Sequence, residues 1–149
     1  METNCTISAI LKHKSPNLWS IAPDDTVFDA IQLMAEKNVG ALLVMKQGKL
    51  IGVISERDYT RKIALKGRSS KETPVGEILS SDIISATPHS TIEECMRLMT
   101  VNRVRHLPVL EGEMVQGIVS IGDLVNWIIT AQNLAINQLE SYITGQFTG

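Results

Sequence analysis

The chain is poor in the residues that build covalent or metal-held scaffolds. Its 149 residues include two cysteines, Cys5 and Cys95, too few and too far apart for a disulfide framework or a thiolate zinc site. Aromatic residues make up only 4%, and neither sign of charge dominates, since 14 Lys and Arg against 16 Asp and Glu leave a net charge of −2. A nucleic-acid binder ordinarily carries a basic excess, so no nucleic-acid partner is expected. No run of about 18 apolar residues occurs, so no membrane span is expected. The opening METNCTISAILKHKSP has no basic stretch leading into an apolar core and a small-residue cleavage site. A cytoplasmic protein with both thiols reduced is the expectation. A G-x-x-x-x-G-K phosphate loop, a nucleophile–base pair and a metal-ligand spacing are all missing, so no catalytic residue, no bound metal and no enzymatic activity are expected.

What the chain does contain is an internal repeat. Shifting the sequence by 65 positions aligns 20–63 with 85–128 without a gap, and about 12 of the 44 positions are identical, far above chance. The clearest shared phrase is GVISERD at 52–58 and GIVSIGD at 117–123. In each copy a threonine followed by acids (Thr26 with Asp29, Thr91 with Glu93 and Glu94) reads as a helix start, the hydroxyl accepting from a free backbone N–H. Val27, Ala30, Ile31 and Met34 then share one helical face, as do Ile92, Cys95, Met96 and Met99. Two apolar runs follow in each copy, joined by turns at Gln47-Gly48 and around Gly112, and read as hairpins. A helix is expected after each aspartate, with Tyr59, Ile63 and Leu65 inward in the first copy and Leu124, Trp127 and Ile128 in the second. Short strands in LWSIA and DIISA precede the first helix of each copy, giving β-α-β-β-α units. Thr73-Pro74 is expected to open a short helix at its cap and first position within the polar link between them. Units this small bury too little surface alone, so the two should pack together.

Over about 17–130 the sequence resembles a tandem pair of cystathionine-β-synthase (CBS) domains, the Bateman module of small stand-alone proteins. The resemblance rests on the element order, the LPV at 107–109 and the doubled G-h-h-S-x-x-D phrase. It implies an α+β, sandwich-like fold of two repeats related by a pseudo-two-fold axis. The expected divisions are a helical extension at 1–15, repeat one at 16–66, a linker at 67–82, repeat two at 83–130 and a second helical extension at 131–149. It also implies a non-catalytic regulatory module that binds AMP, ADP, ATP or NAD, less readily S-adenosylmethionine, in clefts between the repeats and signals to an unidentified protein. A dimerisation or interaction module with vestigial clefts is the alternative.

The residues of the phrase suit such a ligand. A strand-end serine and an aspartate three residues on, in the first turn of a helix, aim two polar groups at one place, and a carboxylate can accept from both hydroxyls of a ribose. The same residues could simply cap their helices. Val53 or Ile118 can cover one face of an adenine, and the glycine before it allows close approach. By family resemblance Arg105 and His106 reach phosphates and Val104 lies near the base, with Arg103 beside them. The first copy has Gly40 and Ala41 in place of Arg105 and His106, and carries its positive charge at Arg57, one turn before Arg61. The expectation is therefore a stronger cleft at Ser120 and Asp123, served by Arg103, Arg105 and His106, and a weaker one at Ser55 and Asp58 that depends on Arg57. NAD would suit two basic centres set in different places. His13 and His89 are expected at the surface. Ile128, Ala131, Leu134, Ala135, Leu139, Tyr142 and Ile143 form an apolar stripe, and Ile7, Ile10 and Leu11 a shorter one; a homodimer through such helices is expected.

Overall fold

The computed structural model describes residues 5–14, 17–79 and 82–140. In chain order its elements are α1 (Ile7–His13), β1 (Ser20–Ile21), α2 (Val27–Lys37), β2 (Ala41–Lys46), β3 (Lys49–Ser55), α3 (Glu56–Tyr59), α4 (Ile92–Asn102), β4 (His106–Glu111), β5 (Met114–Ser120) and α5 (Ile121–Glu140). Both threonine starts act as read from the sequence. Thr26 Oγ1 accepts from Asp29 N–H at 3.1 Å, and Thr91 Oγ1 accepts from Glu94 N–H at 3.1 Å while Glu94 Oε1 accepts from Thr91 N–H at 3.0 Å. The two hairpins copy each other down to an irregularity at Val44/Met45 and at Val109/Leu110. Their turns differ. Gln47 and Gly48 both take positive φ, 52° and 78°, whereas Gly112 alone does so in the second, at 64°.

Each repeat owns a core. Val27, Ala30, Met34, Leu42, Val44 and Ile54 fill the first, and their counterparts 65 residues on, Ile92, Cys95, Met99, Leu107, Val109 and Val119, fill the second. Burial and the neighbouring Glu94 push the Cys95 thiol up to about 11, so it packs as an inert apolar group.

The segments outside the alignment complete these cores crosswise. Ile7 and Ile10 of α1 join the second core, and Val75 and Ile78 of the linker join the first. The same backbone bonds recur: Ile7 N–H donates to Ser90 O at 2.8 Å and Ser8 N–H to Pro88 O at 3.0 Å, while Val75 N–H donates to Asp25 O at 2.8 Å and Gly76 N–H to Pro23 O at 2.9 Å. The chain thus begins by packing on its second repeat, and its linker returns to pack on the first.

Several expectations need correction. DIISA forms no strand: Ala86 makes only an isolated bridge to Val109. The cause is Pro108. In repeat one Leu43 N–H donates to Trp19 O at 3.1 Å, and its counterpart Pro108 has no N–H to give to the equivalent residue. Thr73 does not cap the linker turn: Pro74 stands at the cap position of a single 3-10 turn, Val75–Glu77, with no side-chain cap bond, and the Thr73 hydroxyl donates to Ser69 O. After α3 the chain makes a π-helical turn, Thr60–Ala64, which buries Ile63 and leaves Leu65 77% exposed. His13 is exposed, as expected, and stacks obliquely on Trp127, ring centroids 5.4 Å apart, joining α1 to α5. The stripe on α5 lies largely open beyond Ile128, with Leu134 58% and Leu139 60% exposed; Tyr142 and Ile143 lie outside the described residues.

Candidate functional site

Each S-x-x-D phrase joins a strand end to a helix start and forms a capping box. Asp58 N–H donates to Ser55 Oγ at 3.3 Å, and Asp58 Oδ2 accepts from Ser55 N–H at 2.8 Å. Asp123 N–H donates to Ser120 Oγ at 3.0 Å, and Asp123 Oδ2 accepts from Ser120 N–H at 2.8 Å. The capping reading therefore holds in both copies, and each carboxylate is fixed at the mouth of a cleft.

The contents of the two clefts differ from expectation. Arg103, Val104 and Arg105 do not face Ser120 and Asp123. They line a hollow of about 110 Å³ together with Val53, Ser55, Arg57, Asp58, Arg61 and His106. That hollow shares Val53, Asp58, Val104 and His106 with a cavity of about 240 Å³ that continues past Asp82, Ile84 and Pro108. The Ser120–Asp123 cleft, about 540 Å³, is instead walled by Val39, Gly40 and Ala41 of repeat one, opposite Ile118, with Trp19, Lys37 and Lys14 at its sides. The pseudo-two-fold packing sets the segment before each hairpin against the S-x-x-D phrase of the other repeat. All four arginines consequently line the Ser55–Asp58 cleft, and none of them lines the Ser120–Asp123 cleft.

The electrostatics agree with the geometry. Desolvation first, and then the Arg61 and Arg105 charges, pull the Arg57 guanidinium below its ordinary value, with Asp58 opposing. Arginine stays charged throughout, so the hollow concentrates cations that repel one another until an anion enters. Arg103 holds a left-handed conformation (φ 55°) as the C-cap of α4, as Asn38 (φ 56°) does at the end of α2.

Among the described residues His106 alone lines both clefts. Gly40 makes room for it, since a Cβ there would stand 3.3 Å from His106 Nε2 and 3.3 Å from Glu56 Oε1. Burial is the main cause holding its imidazole below the usual 6.5, with Lys14 and Arg105 acting the same way and Asp123 and Asp58 opposing. The unfolded chain therefore takes up this proton at higher pH than the folded one. The stability it contributes is complete above about 6.5 and is lost as pH falls toward the depressed folded value. The ligand-free melting temperature is expected to drop between pH 7 and 5.5, and the drop should be smaller in His106→Gln. Equal pH profiles for the two proteins would disprove the assignment.

Gly52 and Gly117 line their clefts and also leave room for neighbouring segments. A Cβ on Gly117 would come 2.7 Å from Leu11 Cδ2, and one on Gly52 3.2 Å from both methyls of Leu79. These glycines admit the crosswise segments. Reading from the sequence also missed Lys14, whose ammonium pairs with Asp123 Oδ2 at 2.6 Å, and Asp82, which lines the other cleft. Among the described residues no helix is long and apolar enough to cross a membrane, and no group of His, Cys, Asp and Glu is placed to hold a metal ion.

A β-α-β-β-α unit and a second that lacks its leading strand, each with an S-x-x-D cleft, define a tandem repeat, and comparison with known proteins agrees: the CBS domain model matches 7–65 and 75–130, so the chain belongs to the CBS-domain family. Among its relatives is the mitochondrial CBS domain-containing protein CBSX3 of Arabidopsis thaliana, 43% identical over 95% of this chain and 73% of that protein. A solved structure of a putative signal-transduction protein with CBS domains from Burkholderia ambifaria superposes with a TM-score of 0.82 at 46% identity, covering 86% of this chain and 96% of that one. The inosine-5'-monophosphate dehydrogenase of Methanocaldococcus jannaschii is 32% identical over 71% of this chain but only 21% of the enzyme, so the likeness is confined to a part of it. CBS pairs are generally non-catalytic regulatory modules that commonly bind adenosine ligands and often form oligomers.

Proposed function

We propose that the chain is a cytoplasmic, non-catalytic sensor that binds an adenosine phosphate in the Ser55–Asp58 cleft and passes the bound state to a separate protein. The observation that carries this is the polarity of that cleft. The more apolar end sets Val53, Ile83, Ile84, Val104 and Pro108 beside Lys62, Asp82 and Asn102; the other end holds Arg57, Arg61, Arg103 and Arg105; Asp58 lines both parts. An adenine at the apolar end, a ribose on Asp58 and phosphates among the guanidiniums match that gradient. With the arginines gathered in one place, ADP and ATP fit better than AMP, and the reason for preferring NAD, two separated basic centres, falls away. The sulfonium of S-adenosylmethionine would meet like charge. The open apolar face of α5, including Leu134 and Leu139, supports a homodimer seam.

Thermal shift with AMP, ADP, ATP, NAD and S-adenosylmethionine tests this. A ligand present at 100 times its dissociation constant stabilises by about 2.7 kcal/mol, several degrees for a domain of this size. The expected order is ATP and ADP above AMP and NAD, with S-adenosylmethionine last. No shift with any of them at millimolar concentration would leave the interaction-module reading standing instead.

A further inference from the structure

The two clefts differ in one contact that the repeat does not duplicate. Lys14 follows α1 and reaches into the Ser120–Asp123 cleft. Its ammonium donates to Asp123 Oδ2 at 2.6 Å and to Ile118 O at 2.8 Å, with about a third of the side chain exposed (32%). Asp123 is the expected ribose acceptor and Ile118 the expected wall of the adenine, so one cation lies across both places.

Among the described residues the Ser55–Asp58 cleft has only a looser contact of this kind, and it comes from a different element. Leu11 faces Gly117 and Leu79 faces Gly52, which makes α1 and the linker counterparts. Three residues beyond Leu11 stands Lys14; three beyond Leu79 stands Asp82, which lines the other cleft as an acid. The nearest cation to Asp58 is Lys62, one helical turn along at 3.5 Å from Oδ1, and its short bond goes to Ile78 O, on the linker.

We propose that Lys14 is a built-in lock on the Ser120–Asp123 cleft, so that the chain takes nucleotide in the Ser55–Asp58 cleft alone until Lys14 is withdrawn. The inference rests on the reading that each S-x-x-D carboxylate receives a ribose. A nucleotide entering the second cleft must first break two charge-assisted hydrogen bonds and leave the ammonium without its carboxylate. On the scale of such bonds the second cleft binds at least about tenfold more weakly than it would unlocked. The lock sits on α1, whose Ile7 and Ile10 are core, so a partner that pulled on α1 would open the cleft as it loosened the second repeat.

Isothermal titration of the full chain with ATP reads this as stoichiometry. One site per chain is expected for the natural sequence and for Lys14→Arg, which keeps a cation on Asp123. Lys14→Met, or Lys14→Gln should the first fold poorly, is expected to show a second site, and adding Asp123→Ala to either should remove it again. A single site in the folded Lys14→Met protein would overturn the lock while leaving the nucleotide reading intact. Two sites in the natural sequence, the second weakened in Lys14→Met, would also overturn it and make Lys14 a phosphate contact. No binding by any of these proteins would overturn the nucleotide reading and the lock together.

Discussion

Asp58→Ala is expected to abolish the response to ADP and ATP, whereas Asp123→Ala should leave it within a few-fold of the natural protein. Asp58 is the one acid that lines both the apolar and the arginine-rich parts of its cleft. Hydrogen bonds to a charged group contribute about 1.5–3 kcal/mol each. Losing both ribose contacts therefore weakens binding by roughly a hundredfold or more. The carboxylate also caps α3 through Ser55, so the ligand-free protein should lose about 1 kcal/mol of stability as well. The two effects separate in the measurement: the cap lowers the melting temperature without nucleotide, and the ribose contact removes the increment that nucleotide adds. Asp123→Ala suffers the same cap loss and so serves as its control. If Asp123→Ala removed the increment and Asp58→Ala kept it, the arginine cluster would not be what selects the cleft.

The placement of the arginines is the point at which sequence and structure part company. The elements within each repeat were legible because they depend on near neighbours. A threonine three residues before an acid caps a helix, Gln47-Gly48 turns a hairpin, and apolar positions at helical spacing pack inward, in both copies. Even the failed strand at DIISA had its cause in the sequence, since Pro108 removes the N–H that Leu43 supplies in the other copy. The allocation of Arg103 and Arg105 was not legible in this way. Linear order places them beside Ser120 and Asp123, and only the crossing of the two repeats carries them to Ser55 and Asp58. One hint was present: the copy without basic residues before its hairpin, at Gly40 and Ala41, is the copy with Arg57 in its phrase. The crossing gathers those charges into one cleft; left with their own repeats they would lie apart. Lys14 was hidden for a related reason. It lies outside the duplicated stretch, and its target is 109 positions away.

The crossing also fixes where the fold is most sensitive. Ile7→Ala is expected to destabilise the protein by about 2–5 kcal/mol, the range for emptying a fully buried aliphatic site. Ile7 is 0% exposed, and its N–H bonds to Ser90 O beside the bridge between Thr6 and Thr91, at the start of α4. In sequence it precedes repeat one, yet it fills repeat two. A total stability of about 5–15 kcal/mol makes that loss large for one residue near the start of the chain. Val75, equally buried in the first core, is its counterpart; Val75→Ala removes fewer carbons and should cost less. The tryptophans report on the two cores separately, because Trp19 packs against the first and Trp127 against the second. Urea denaturation followed through Trp127, with Trp19→Phe as background, should show the midpoint lowered by Ile7→Ala. A loss below about 0.5 kcal/mol, the scale of an exposed substitution, would mean that α1 is an appendage and not the closing piece of the second core. A full loss would mean that Lys14 is carried on a segment the second repeat cannot release without cost, which is what a lock on its cleft requires.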